Sequence, residues 1–183
     1  MTGRGTGEEG TTRQGDKVKT PAAGDSAPPF ELESSGGGVI RLGDFEGKKA
    51  VVLYFYPRAD TPGCTKQACG FRDTLGEYDR AGVAVLGVSP DRPKAVGKFA
   101  KKFDLNFPLL ADADHAVAEK YGVWREKSMY GRKYMGVART TFVIGKDGRV
   151  AHVFENVKPD GHDREVLAWF AAHAGGKGGA KGK

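Results

Sequence analysis

The apolar residues fall into short blocks separated by Gly, Pro and charge, and the spacing inside each block changes along the chain. Between Phe30 and Leu42 they alternate with polar positions on either side of Gly36-Gly37-Gly38, which predicts a small hairpin of Phe30–Ser34 with Val39–Leu42. Ala50–Tyr56 (AVVLYFY) is unbroken, β-branched and aromatic, the pattern of a strand buried on both faces, and Pro57 ends it. Val83–Ser89 (VAVLGVS) reads the same way. Between these two strands, Cys64–Arg80 predicts a helix following Pro62. Asp91–Phe103 predicts another, with Val96, Phe99 and Phe103 on one stripe and Pro93 in its first turn, where a missing amide costs nothing. A short strand at Leu109-Leu110 and a helix over Asp114–Tyr121, closed by Gly122, come next. Thr141–Ile144 and Val150–Phe154 flank Lys146-Asp147-Gly148, a hairpin signal, and Asp163–His173 predicts a last helix that turns Val166, Leu167 and Phe170 inward.

Strands alternating with helices, followed by a hairpin and a helix, predict an α/β fold of three layers with a central mixed β-sheet flanked by helices. Right-handed crossovers make the first half parallel, and the hairpin adds the antiparallel part. This is the thioredoxin-like pattern. A chain of 183 residues suits one domain, and Gly supplies five of the first 19 residues and five of the last nine. The expected division is therefore a flexible tail over 1–24, a folded unit over 25–174 and a Gly/Lys tail over 175–183. No repeat of fixed period is present, which excludes solenoids and propellers.

Composition narrows the function class. Hydrophobic residues make up 39% and charged ones 28%, the profile of a globular protein. No apolar run approaches the roughly 20 residues that a bilayer-spanning helix needs. Met1–Thr20 has no apolar core of the kind a secretory signal carries, so a cytoplasmic location is the default expectation. The net charge of +6 invites a nucleic-acid partner, but residues 1–19 hold +1 and residues 175–183 hold +3, leaving +2 for the part between. A unit so near neutrality carries no footprint for a polyanion. Neither nucleic acid nor membrane is an expected partner.

Cys64 and Cys69 are the only cysteines, too few for a secreted disulfide framework. Their spacing and the scattered His115, His152, His162 and His173 lack the pairing of a metal site, and no metal or other cofactor is expected. A buried strand, a Pro-containing loop and a helix start place Cys64 where unpaired amides and the macrodipole favour an anion, hence the nucleophilic thiolate. Two small apolar core residues are the plainer reading of such a pair. On a regular helix the two Cα atoms would lie about 8.6 Å apart, with side chains about 140° apart around the axis. A disulfide tolerates about 7 Å, so joining them requires the helix start to unwind, and Gly63 and Gly70 bracket the part that would move.

The stretch Tyr56–Asp73 (YPRADTPGCTKQACGFRD) resembles the active site of the peroxiredoxins, whose P-x-x-x-T/S-x-x-C pattern is met by Pro57, Thr61 and Cys64. It is most similar to the PrxQ or bacterioferritin comigratory protein subfamily, with a second cysteine five residues on. The likeness runs from about Asp25 to Phe170 and includes Phe107–Asp112 (FPLLAD), Tyr121–Trp124 (YGVW) and Arg139–Ile144 (RTTFVI). Members of that family often carry Glu where this chain has Gln67. The resemblance implies a thiol peroxidase acting on hydrogen peroxide and organic hydroperoxides, in which Cys64 attacks the peroxide and becomes a sulfenic acid. It implies that Cys69 resolves this to an intramolecular disulfide, which thioredoxin or a similar dithiol protein reduces. Thr61 would offer a hydroxyl to peroxide or thiolate, Arg139 a permanent cation, and Pro57 a shield and a fixed loop. The subfamily likeness favours a monomer.

Each residue keeps a plainer alternative: Thr61 as a helix N-cap, Arg139 as a surface charge at a strand end. Two other functions remain on the same fold. A general thiol-disulfide oxidoreductase would normally carry C-x-x-C, which is absent here. A redox-sensing or holdase module would be oxidised stoichiometrically and turn over little with thioredoxin.

Overall fold

The computed structural model describes residues 19–173. The tails expected at the two ends fall largely on residues 1–18 and 174–183, which lie outside the described residues. The elements are β1 (Glu31–Ser34), β2 (Val39–Arg41), a 3-10 turn (Leu42–Asp44), β3 (Ala50–Phe55), α1 (Pro62–Arg80), β4 (Val83–Ser89), α2 (Pro93–Lys102), β5 (Leu109–Ala111), α3 (Ala116–Lys120), β6 (Trp124–Met129), β7 (Arg132–Val137), β8 (Thr140–Ile144), β9 (Val150–Phe154) and α4 (His162–His173).

Seven strands form one sheet in the order β2-β1-β5-β4-β3-β8-β9. β3, β4 and β5 are parallel, while β8 runs antiparallel to β3, β9 to β8, and β1 to both β5 and β2. This is the expected mixed α/β sheet. The apolar run at β3 explains its central place, because both faces are covered. Val51, Leu53 and Phe55 enter one core with Leu86, Phe142, Val117 and Tyr121, and Val52, Tyr54 and Tyr56 enter the other with Ala68, Phe71, Val96 and Val166. α1, α2 and α4 thus cover one face and α3 the other. A strand buried on both faces needs no period-2 pattern, since neither face meets water.

The remaining pair, β6 and β7, forms a separate two-stranded sheet. Its turn is Tyr130-Gly131, with φ of 53° and 79°, the two positive angles that a two-residue hairpin turn requires. No element was expected between Gly122 and Thr141. The hairpin escaped because its strands are mostly exposed, so apolar residues do not mark one face: Met129, Tyr130, Tyr134 and Met135 all lie open to solvent.

Two connections prepare the site. Ahead of the expected start at Asp25, Thr20 Oγ1 donates to the Gly122 carbonyl (3.3 Å) and the Gly24 amide to that of Val150 (2.8 Å). After β3, the loop over residues 57–61 is pinned from α2's side. The Ala59 amide and Ser89 Oγ both donate to Asp91 Oδ2 at 2.7 Å, and Lys102 Nζ reaches Asp60 at 3.0 Å.

Candidate active site

Both cysteines are free thiols, and both lie on the one continuous helix α1. Cys64 is buried, 1% exposed, among Tyr54, Tyr56, Ala68 and Phe71, whereas Cys69 is partly open to solvent. The helix starts at Pro62, two residues before its expected start, so Cys64 falls in its first turn. The helix's hydrogen bonding opens with the Thr65 amide on the Thr61 carbonyl at 2.8 Å. The amides of Gly63 and Cys64 precede that bond and have no intrahelical partner, which leaves two donors beside the thiol.

Thr61 occupies the N-cap position with extended backbone, but its side chain makes no capping bond. Its hydroxyl donates instead to the Arg58 carbonyl at 3.1 Å, across the loop that begins at half-buried Pro57. The oxygen keeps its lone pairs for another donor, and the helix amides are left to an incoming anion. Pro57 follows the last sheet bond of this strand, from the Tyr56 amide to the Val88 carbonyl at 3.0 Å.

Arg139 lies just ahead of β8, which pairs with β3, and this pairing carries the guanidinium to the start of α1. Nη1 donates to Gln67 Oε1 at 2.6 Å, and a Cβ placed on Gly63 would come within 3.3 Å of Nη2. The guanidinium therefore lies across the turn Gly63–Gln67 that holds Cys64. Space at Gly63 is tight, since Pro159 Cγ also sits 3.3 Å from where its Cβ would be. The structure thus brings Pro57, Thr61, Cys64, Cys69 and Arg139 to one end of α1.

Two further groups join the site: Gln67, which the sequence marked only as standing where family members often carry Glu, and Lys127, which it did not mark. Gln67 is fully buried (1% exposed), and although its oxygen accepts from Arg139, its Nε2 has no partner among the described residues; nor have Tyr54 Oη and Tyr56 Oη in the same core. Burial, and after it the neighbouring Tyr56, pushes the Tyr54 phenol well above its ordinary range, so it stays neutral. Lys127, from the unforeseen hairpin, donates to the Val137 carbonyl at 2.8 Å, two residues before Arg139. Desolvation and then the Arg139 charge pull its ammonium pKa down, against a smaller opposite pull from Cys64. It is a second cationic group, beside the segment that leads to Arg139. The only available signal for it was the Tyr130-Gly131 turn.

A cleft of about 640 Å³ opens beside the loop, lined by Arg58, Asp60, Asp91, Lys98, Phe99 and Lys102, but neither cysteine lines it. Among the described residues no three His, Cys, Asp or Glu side chains gather in a way that could hold a metal ion. What the arrangement can do is thiol chemistry: a buried sulfur, free amides, a guanidinium and a second thiol one and a half turns away.

Residues 23–153 match the model of the AhpC/TSA family. The chain belongs to the AhpC/TSA family. It is 50% identical over 152 residues to peroxiredoxin Bcp of Escherichia coli K12, an alignment covering 83% of this chain and 97% of that protein. Among solved structures it resembles a PrxQ mutant of Xylella fastidiosa, with a TM-score of 0.80, 34% identity, and 85% of this chain and 99% of that one covered. It also resembles the bacterioferritin comigratory protein of Xanthomonas campestris, with a TM-score of 0.76, 36% identity, and 86% and 99% covered; that structure concerns alkyl peroxide reduction. The chain is thus a peroxiredoxin of the Bcp/PrxQ kind, a thiol-dependent peroxidase that takes a peroxide as substrate and a thiol as reductant.

Proposed function

We propose that Cys64 is the peroxidatic cysteine and Cys69 the resolving one, and that the resulting intramolecular disulfide is recycled by thioredoxin or a similar dithiol protein. The observation that carries this reading is the guanidinium of Arg139 lying across the Gly63–Gln67 turn, the turn that holds the buried thiol of Cys64 at the start of α1. The Cys64 thiolate attacks the terminal peroxide oxygen; an S–O bond forms, the O–O bond breaks, and the electron pair leaves with the other oxygen as hydroxide or alkoxide, which takes up a proton. Arg139 and the amides of Gly63 and Cys64 offset the negative charge that develops on the oxygens, and Thr61 Oγ1 holds the peroxide in line. Pro57 shields the loop side of the sulfur. Cys69 then attacks the sulfenic acid sulfur and water leaves, giving the disulfide.

Hydrogen peroxide and organic hydroperoxides are the proposed substrates, and the alkyl peroxide reduction that concerns the Xanthomonas relative supports the second class. We propose further that the folded unit over 25–174 acts as a monomer in the cytoplasm. No helix among the described residues is long and apolar enough to cross a membrane.

The test couples NADPH oxidation through thioredoxin reductase and thioredoxin to peroxide in the presence of this protein. Sustained turnover is the expected outcome. Stoichiometric oxidation without turnover would favour a redox sensor, and disulfide reduction in substrate proteins without peroxide consumption would favour a general oxidoreductase.

A further inference from the structure

A guanidinium has hydrogen-bond donors and no acceptor, so the atom of Gln67 that faces Arg139 Nη1 at 2.6 Å must be its oxygen. That bond fixes the amide's orientation and turns the NH2 group away from Arg139. There it finds no acceptor, although the residue is only 1% exposed. An unpaired buried donor forfeits the hydrogen bonds it made to water, so its persistence calls for an explanation. Gln67 follows Cys64 by three residues on α1, and side chains at that spacing lie over one another on one helix face. The Gln67 side chain therefore shares the face of the helix that carries the reacting sulfur, on the turn that Arg139 spans.

We infer that the Gln67 amide is a catalytic hydrogen-bond donor to the oxygen that is transferred to Cys64. This rests on the reading of Cys64 as the peroxidatic cysteine. In the resting protein Nε2 has no acceptor among the described residues. When a peroxide enters, the attacked oxygen supplies an acceptor, and after the O–O bond breaks the same oxygen stays on sulfur as the sulfenic acid. The donor gains its partner as the S–O bond forms, so the interaction is stronger in the transition state than in the resting site. Arg139 then has two functions: its own charge, and the aim of the Gln67 amide.

The test uses the Cys69→Ser chain, in which Cys64 is the only thiol, and measures two rates at one pH. One is Cys64 oxidation by hydrogen peroxide; the other is its alkylation by iodoacetamide, which transfers no oxygen to sulfur. Their ratio cancels changes in the thiolate population. Gln67→Met keeps the length of the side chain without donor or acceptor, and Gln67→Glu keeps the acceptor for Arg139 but removes the N–H. Each variant is scored only if its thermal midpoint stays near that of the parent, so either one alone suffices. The expected result is a ratio at least tenfold below the parent in both, about 1.4 kcal/mol. A parental ratio in Gln67→Glu would reduce Gln67 to a residue that positions Arg139 and overturn the inference. A parent whose Cys64 fails to react with peroxide would overturn the peroxidatic reading itself, and this inference with it.

Discussion

At the scale of single residues the proposed chemistry depends on positive charge near a sulfur that water barely reaches. Cys64 is buried on the aromatic core, and the groups that can stabilise an anion there are the guanidinium of Arg139, the ammonium of Lys127 and two helix amides. Cys64→Ser should abolish peroxidase turnover, while Cys69→Ser should allow one oxidation and then stall with thioredoxin; thioredoxin-coupled NADPH assays read both. Arg139→Lys keeps a charge but loses the planar fork that bonds Gln67 with one nitrogen and reaches Gly63 with another. Stopped-flow oxidation of Cys64 should slow at least tenfold, about 1.4 kcal/mol of transition-state stabilisation, whereas an unchanged rate would leave Arg139 a mere strand-end charge. Pro57, Thr61, Cys64 and Cys69 were legible in sequence because they lie on one stretch whose spacing is itself the signal. Lys127 was not, because its position depends on a hairpin that no hydrophobic pattern announces.

At the scale of the element, α1 has two differently held halves. Its start is held on the core by Cys64 and Ala68 and by the Arg139–Gln67 hydrogen bond. From Gly70 onward it is locked to the head of α4: Thr74 Oγ1 lies 2.9 Å from the Gly70 carbonyl and 3.1 Å from Asp163 Oδ2, and the Tyr78 hydroxyl donates to the Asp163 carbonyl at 2.6 Å. Gly70 admits this contact, since a Cβ there would fall 2.6 Å from Asp163 Oδ1. Because the two cysteines sit on one regular helix, a disulfide needs the chain between them to unwind, and the lock sets where unwinding stops. Hydrogen exchange should show residues 63–71 losing protection in the disulfide form while residues 74–80 keep theirs. Unchanged protection over 63–71 would remove the unwinding step. The sequence pattern foresaw the helix and the need to unwind it; the lock depends on contacts between α1 and α4, which periodicity does not encode.

At the scale of the whole molecule, the sheet that carries the site is packed tightly enough that its stability should respond to both volume and protonation. At Gly87 on β4 a Cβ would lie 2.8 Å from Tyr54 Cζ and 2.9 Å from Leu109 Cδ2, all inside the core. Gly87→Ala should therefore cost about 1–3 kcal/mol, seen as a lower denaturant midpoint. His162 is buried between the rings of Phe71 and Phe154 and hydrogen-bonded to Thr141 and Glu165, with Asp163 and Arg139 as charged neighbours. Desolvation holds its pKa below the ordinary value despite the Glu165 bond. A histidine kept neutral by the fold binds fewer protons than it does unfolded, so stability is full above pH about 6.5 and falls as the pH drops through and below it. His152, lowered by burial and then by His173, acts in the same direction. The thermal midpoint should drop from pH 7.5 to pH 5.5, and by less in His162→Gln. The layers and their order were legible from β3, β4 and the hairpin around Asp147; the two-sided burial of His162 was not, because it joins α4, β8, β9 and α1.

The claim underlying all three scales is that peroxide oxidises Cys64 and that Cys69 captures it within the same chain. Intact mass spectrometry of the reduced protein after one equivalent of hydrogen peroxide tests this directly. The expected product is a monomer lighter by two hydrogen atoms, with Cys64 and Cys69 joined and no free thiol left. A product carrying added oxygen with Cys69 still alkylatable, or a disulfide-linked dimer, would contradict it.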